Sequence, residues 1–234
     1  MLCVTMNALI FYSTFVLMNF QAAIFDMDGL LLDTERLYMR VFKQSCQNVH
    51  LPFYEDIYLS IIGRNSKGID EILRSAYGNE LDKLHANWRV NYDAIVKNQP
   101  IPMKKGVIPL LEWLRANKIQ TAVATSTQKD VALLKLKLAG LDDYFDNITC
   151  GCEVTQGKPN PEIYLLAAQR LGVKPQYCLA FEDSNNGAKS ALAADMKTYQ
   201  IPDLVTPSEE VKSLGVLVRH SLEDVLDELE TAFN

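Results

Sequence analysis

Two aspartates with one residue between them, Asp26 and Asp28, are the strongest chemical signal in the sequence. They directly follow the short apolar run 22–25, and a glycine comes next. On a strand, residues i and i+2 point to the same face, so both carboxylates can converge where the strand ends. Because two close carboxylates repel each other, a positive charge is expected beside them. The pattern therefore favours a metal-assisted reaction on an anionic substrate.

Three later apolar runs are also followed by polar residues, namely hydroxyls, a lysine and two more acids. They are 120–124 before Thr125 and Ser126, 144–149 ahead of Lys158, and 178–181 before Glu182 and Asp183. In open α/β sheets, ligands bind beyond the carboxyl ends of the strands. Together, these side chains can hold a hard divalent cation and a phosphate next to each other.

The apolar runs alternate with amphipathic segments that have helical periodicity. These segments cover 107–117, 129–139, 161–171 and 187–194, and two short candidate strands follow at 197–199 and 216–218. Such alternation is typical of a parallel sheet wrapped by helices, and runs that are apolar throughout fit strands buried on both faces. We therefore predict an α/β fold whose core is a Rossmann-like, doubly wound parallel sheet.

Residues 35–102 interrupt this alternation with helical periodicity and no good strand pattern. Thr34 is a plausible N-cap for the first helix, and the sequence Gln-Pro-Ile-Pro at 99–102 predicts a turn or linker. We therefore predict an all-helical domain over 35–102, inserted into a core that is formed by 18–34 and 103–234.

The composition excludes some classes of function. Of the 234 residues, 48% are hydrophobic and 22% are charged, and the formal net charge is −6. Broad nucleic-acid binding needs clustered Lys and Arg, so a surface this acidic argues against it. The five cysteines are an odd number without the spacing of a disulfide framework, which favours a reducing cytoplasm.

The first 25 residues contain no charged side chain. Their mostly apolar stretch, 8–18, is shorter than the roughly 20 residues that a membrane span needs. A signal peptide would have a basic start and a small-residue cleavage site, and both are missing. We expect 1–17 to be an apolar extension ahead of the catalytic domain, in a cytoplasmic protein without a membrane partner.

Four short motifs, taken together, resemble those of the haloacid dehalogenase superfamily. They are Asp26-Met27-Asp28-Gly29, Thr125-Ser126, Lys158-Pro159 and Glu182-Asp183, in this order along the chain. The resemblance extends from about residue 20 to the C-terminus. It is to the branch that includes β-phosphoglucomutase-like proteins and small sugar-phosphate phosphatases, and it implies that the helical insertion is a cap over the active site.

The resemblance implies a role for each residue of these motifs. Asp26 would be the nucleophile that forms an aspartyl-phosphate, and Asp28 would be the general acid and base. Thr125, Ser126 and Lys158 would hold the oxygens of the transferred phosphoryl group.

The same resemblance implies Mg²⁺ as the cofactor. Its ligands would be the Asp26 carboxylate, the Asp28 backbone carbonyl and Asp183, while Glu182 would act through water or orient the other ligands. In the cap, the basic, glycine-flanked loop 63–68 is the best candidate for substrate contact. We expect Arg64 or Lys67 in this loop to touch the substrate.

Phosphatase activity on a small phosphorylated metabolite, a sugar phosphate or a nucleoside phosphate, is the first interpretation. The main alternative is a β-phosphoglucomutase-type mutase, but such mutases tend to carry a cap histidine shortly after the first motif. This chain has Tyr38 around that place, and its nearest histidine is His50, which favours hydrolysis. A non-catalytic binding or regulatory protein is a third hypothesis, which the intact carboxylates disfavour. We expect a monomer or a weak dimer.

Overall fold

The computed structural model describes residues 20–62 and 66–233, and for Ser66 and Lys67 it describes the backbone only. The expected extension over 1–17 and the loop residue Arg64 therefore lie outside the described residues. Among the helices described, none is both long and apolar enough to cross a bilayer.

In the described part of the chain, six strands form one sheet in which every pairing is parallel. They are β1 (Ala22–Phe25), β2 (Gln120–Thr125), β3 (Asn147–Cys150), β4 (Cys178–Glu182), β5 (Lys197–Gln200) and β6 (Leu217–Val218). The spatial order β3-β2-β1-β4-β5-β6 is that of a doubly wound Rossmann-like sheet, so the predicted fold class is confirmed. The strand expected over 144–149 begins only at Asn147, because Asp142–Tyr144 forms a 3-10 turn.

Ten α-helices are found within the described residues. They are α1 (Thr34–Asn48), α2 (Glu55–Ile61), α3 (Ser66–Tyr77), α4 (Leu81–Val96), α5 (Val107–Ala116), α6 (Lys129–Leu138), α7 (Glu162–Leu171), α8 (Asn185–Ala193), α9 (Glu209–Ser213) and α10 (Leu222–Phe233). Helices α1 to α4 follow one another without an intervening strand, as the periodicity over 35–102 predicts.

The centre of the sheet is buried on both faces, which explains why β1 is apolar throughout and β4 is apolar up to its last residue. Side chains alternate along a strand, so Ala23 and Phe25 of β1 join a core with α5, α6 and α10. Ala22 and Ile24 point the other way and pack in a second core with α7 and α8. Helices α1 to α4 share a third cluster in which Phe42 is fully buried, but Leu37 and Val41 of α1 and Tyr92 and Val96 of α4 pack in the first core with the sheet.

The two connections between the sheet and helices α1 to α4 run side by side. Leu32 and Met103 form an antiparallel bridge, and the Asp33 amide donates to the Pro102 carbonyl at 2.8 Å. The helical segment therefore enters and leaves the sheet region at one place.

Thr34 is not the N-cap of the first helix, so this expectation is wrong. It is the first residue of α1, and its buried hydroxyl has no hydrogen-bond partner among the described residues. Asp33 precedes the helix, but its side chain makes no capping hydrogen bond either. The paired connections hold the backbone here through the Asp33 amide, and they fix the start of α1 in place of a side-chain cap.

Candidate active site

Asp26 lies at the point where the winding direction of the sheet reverses. Strands β1 and β4 are neighbours, with Phe25 paired to Phe181, and the Asp26 amide donates to the Phe181 carbonyl at 2.9 Å. This register carries Asp26 beyond the end of β1, next to Glu182 and Asp183 at the end of β4. Crevices at such switch points are where open α/β sheets bind ligands.

Three carboxylates converge at this point. One oxygen from each of Asp26, Glu182 and Asp183 lies within 4.8 Å of the others. Asp26 is 7% exposed and Glu182 is fully buried, while Asp183 is half-buried. The sequence prediction that acids from separate strand ends meet in one small volume agrees with this geometry.

The Lys158 ammonium lies between two of these acids. Its Nζ donates to Asp26 Oδ1 at 2.5 Å, to Glu182 Oε1 at 2.6 Å and to the Ala124 carbonyl at 2.9 Å. The Lys158 side chain is only 8% exposed. Burial lowers the pKa of Lys158, but Asp26 and Glu182 together outweigh this and the pKa is raised, so the amine is held as a cation.

Two features fix the Glu182 carboxylate. The buried Tyr164 hydroxyl donates to Glu182 Oε1 at 2.7 Å, and the Ser184 hydroxyl donates to Oε2 at 3.2 Å. Gly187 leaves room for the carboxylate, because a Cβ at this position would lie 1.9 Å from Glu182 Cδ. Gly29 likewise leaves room for Asp183, because a Cβ at position 29 would lie 2.2 Å from Asp183 Oδ2.

The carboxylates are too many for the one lysine to neutralise. Burial raises the pKa of Asp26 to about 8; Lys158 opposes this rise, whereas Glu182 and Asp28 add to it. Burial, Asp26 and Glu182 raise the pKa of Asp183 well above its ordinary value. A hard divalent cation would remove this repulsion and prefers such oxygen ligands, so the residues present fit Mg²⁺.

Asp28 lies beside this cluster and has partners of its own. Its Oδ1 accepts from Lys135 Nζ at 2.7 Å, and its Oδ2 accepts from the Thr127 hydroxyl at 2.6 Å. Lys135, on α6, is only 2% exposed. Burial lowers the pKa of Lys135, but the charge of Asp28 outweighs this and the pKa is raised.

The end of β2 provides the hydroxyl residues predicted to hold phosphate. Thr125 is buried and accepts a hydrogen bond from the Thr127 amide at 3.1 Å, whereas Ser126 is exposed. The contact of Lys158 with the Ala124 carbonyl joins this strand end to the carboxylate cluster.

A cleft of about 760 Å³ lies between the helical segment and the sheet. On the sheet side it is lined by Asp183 and by the residues that follow β4 and β5, and on the other side by residues of α2 and α3. Arg64 and the side chain of Lys67 lie outside the described residues, so their contact with a substrate stays a prediction. Glu35 also lines the cleft, where burial, Asp28 and Asp203 raise its pKa to about 7.

Lys135, Thr127 and Tyr164 are contacts of the site that the sequence did not predict. Lys135 and Tyr164 lie on helices. From the sequence, a lysine on a helix is expected to face solvent and a tyrosine to pack in the core. One signal was available for Lys135, because it lies three residues after Ala132 and next to Leu136, on the buried side of α6. Thr127 lies two residues beyond the Thr125-Ser126 motif and has no signal of its own.

Comparison with known proteins gives one family. The family model "Hydrolase: haloacid dehalogenase-like hydrolase" matches residues 20–195. The chain is 31% identical over 217 residues to the phosphorylated carbohydrates phosphatase of Thermotoga maritima, which covers 90% of this chain and 98% of that protein. It is 34% identical over 222 residues to a probable pseudouridine-5′-phosphatase of Drosophila melanogaster, which covers 89% of this chain and 93% of that protein.

A solved structure has a similar fold. A Thermotoga maritima protein provisionally assigned as a β-phosphoglucomutase matches with a TM-score of 0.76 and 31% sequence identity. The match covers 90% of this chain and 99% of that one.

Proposed function

Because the chain belongs to the haloacid dehalogenase-like hydrolase family, we propose that it is a Mg²⁺-dependent phosphatase that hydrolyses small phosphomonoesters through an aspartyl-phosphate on Asp26. The observation that carries this proposal is the buried contact of Asp26 with Lys158, next to the carboxylates of Glu182 and Asp183. Relatives that are named as phosphatases of phosphorylated carbohydrates and of a nucleoside phosphate support small phosphomonoesters as the substrate class.

Asp26 is the nucleophile in this proposal. Its carboxylate oxygen forms a bond to phosphorus while the bond from phosphorus to the leaving oxygen breaks. Lys158 holds the carboxylate and offsets negative charge on the phosphoryl group. The Thr125 hydroxyl and the Ser126 amide bind the phosphoryl oxygens, which keeps the group in place for both halves of the reaction.

Asp28 moves the proton. Its carboxyl group gives a proton to the leaving oxygen in the first half and takes one from the attacking water in the second half. Its place two residues after the nucleophile supports this role, because both side chains lie at the same end of β1.

Mg²⁺ would be held by the Asp26 carboxylate, the Asp28 backbone carbonyl and Asp183, with Glu182 acting through water. When bound, the ion supplies positive charge that lets the acidic site accept a phosphate dianion. The raised pKa values of Asp26 and Asp183 support the need for such a charge.

Helices α1 to α4 act as the cap in this proposal. They form one wall of the cleft, where they would exclude water from the site. Arg64 and Lys67 would contact the substrate from this side. The described cysteines are all free thiols, which supports a reducing compartment such as the cytoplasm.

The test is phosphate release from a panel of sugar phosphates, nucleoside monophosphates and phosphoglycolate, with Mg²⁺ and with a chelator. We expect Mg²⁺-dependent release that falls by about 1,000-fold or more in Asp26→Asn, because the nucleophile is lost. Asp130→Asn, at an exposed position of α6, is the matched control and should keep full activity. Undiminished release by Asp26→Asn would show that the nucleophile is wrongly assigned.

The reaction product distinguishes a mutase from a phosphatase. With β-glucose 1-phosphate and Mg²⁺, a phosphatase gives free phosphate, whereas a mutase gives glucose 6-phosphate. We expect free phosphate, and conversion to glucose 6-phosphate without phosphate release would favour the mutase instead.

A further inference from the structure

Lys135 is a buried cation in a place where the helix would otherwise carry an apolar residue. It faces inward from α6 with Ala132 and Leu136, and it is 2% exposed, whereas Lys137 on the same helix is exposed. Burying an ammonium is costly unless it is paired and hydrogen-bonded. The pairing that Lys135 makes therefore indicates what this residue does.

Lys135 and Thr127 together fix both oxygens of Asp28. The ammonium binds Oδ1 at 2.7 Å and the Thr127 hydroxyl binds Oδ2 at 2.6 Å, so the plane of the carboxyl group is set by two donors. A group that transfers a proton works only within hydrogen-bond reach of the reacting oxygen. The direction in which Asp28 points is therefore set from outside the motif that contains it.

The Lys135 ammonium is itself held from the side of the helical segment. Its Nζ lies 5.6 Å from the ring centroid of Tyr92 and 6.0 Å from that of Tyr38. The two rings stack on each other at 4.1 Å and belong to α4 and α1. Attraction between a cation and these rings keeps the ammonium over Asp28.

We propose that Lys135 is a positioning residue for the proposed proton transfer, which together with Thr127 fixes the orientation of the Asp28 carboxyl group in the site. This inference rests on the proposed phosphatase function. In the step concerned, the bond from Asp26 to phosphorus forms, the bond to the leaving oxygen breaks, and the Asp28 proton moves to that oxygen. Lys135 acts in this step through its contact with Asp28.

The test compares two leaving groups. An alkyl phosphomonoester, the best sugar phosphate of the panel, needs a proton on its leaving oxygen, whereas p-nitrophenyl phosphate releases a stable anion and does not. We expect Lys135→Met to lower kcat/KM for the sugar phosphate by about 100-fold, the lower range for general acid catalysis, and for p-nitrophenyl phosphate by less than about threefold. Lys135→Arg should restore most of the activity on the sugar phosphate, because it returns a cation to Asp28.

Lys137→Met is the matched control on the same helix and should leave both activities unchanged. If Lys135→Met does not fold, Lys135→Gln, which keeps a donor without the charge, is measured in the same way. An equal loss on both substrates, or no loss on either, would overturn the inference while leaving the phosphatase proposal intact. If the unaltered protein releases phosphate from neither substrate, the proposed function fails and this inference fails with it.

Discussion

The Glu182 carboxylate occupies the space that a side chain at position 187 would fill, and Gly187 leaves this space open. A Cβ at position 187 would lie 1.9 Å from Glu182 Cδ and 2.0 Å from each of its carboxylate oxygens. The absence of a side chain at this point of α8 is what lets the carboxylate reach Lys158. Gly187 therefore sets the geometry of the site without contributing a functional group.

Gly187→Ala should reduce activity although alanine is the better helix former. Within a helix, Gly→Ala alone would stabilise the protein by about 1 kcal/mol, so helix propensity predicts no harm. We expect kcat/KM to fall by about 100-fold because the displaced Glu182 carries Lys158 with it. Gly157→Ala, where a Cβ meets nothing within 4 Å, is the control for steady-state kinetics. Equal activity of the two variants would contradict the steric argument.

Lys158→Met should destabilise the folded protein. It leaves the fully buried Glu182 without its cation, and breaking a buried pair in this way costs about 3–5 kcal/mol. Urea unfolding at neutral pH measures the change in free energy. Lys129→Met, which removes an exposed lysine paired with Glu153, should cost only about 0–1 kcal/mol. A Lys158→Met variant as stable as Lys129→Met would mean that this buried pair does not stabilise the fold.

Mg²⁺ should raise the melting temperature of the protein, whatever its substrate. The ion relieves repulsion among Asp26, Glu182 and Asp183 in the folded state only, and a ligand at 100 times its Kd adds about 2.7 kcal/mol. Differential scanning fluorimetry with and without Mg²⁺ measures the shift. Asp183→Asn should lose most of it, whereas Glu209→Gln, an exposed acid, should keep it. The same shift in all three proteins would place the ion elsewhere.

Glu153 should stabilise the protein in a defined pH range. Arg170 is the main cause that lowers the pKa of Glu153 from 4.5 to about 2; burial opposes it, and the Cys150 amide and Lys129 contribute. Because the folded-state pKa is the lower one, the stabilisation is complete above about pH 4.5 and is lost as the pH falls towards 2.

The measurement is the melting temperature of Glu153→Gln against pH. We expect it to lie below that of the unaltered protein at pH 7, and the difference to close between about pH 4.5 and 2. Glu80→Gln, at an exposed position, should show no such dependence. A difference that stays constant down to pH 2 would rule out an ion-pair origin.

The sequence predicts the sheet and the place of the site well, for a physical reason. Carboxyl ends of parallel strands share one edge, so residues that follow apolar runs, such as Asp26 and Glu182, meet without any distance being known. Their contact with Lys158 follows from the same topology, since this lysine comes after β3 and before α7.

The contacts made by helices could not be predicted in this way. Lys135 meets Asp28 across 107 residues, and Tyr164 meets Glu182 across 18. Helical periodicity tells which side of a helix is buried, but it does not tell which residue lies opposite. At Thr34 a local rule failed instead. The residue type predicts an N-cap, but the start of the helix is set by the pairing of two connections that are distant in sequence.

The side-by-side entry and exit of helices α1 to α4 have an evolutionary consequence. Because Leu32 and Met103 lie next to each other, the whole segment is topologically a long loop, which can be lengthened, exchanged or shortened without disturbing the strand register. The strand-end acids lie outside this stretch, whereas Tyr38 and Tyr92 within it contact Lys135. Changes within the inserted stretch can therefore reshape one wall of the cleft while the strand-end carboxylates stay in place, provided that these two rings are kept.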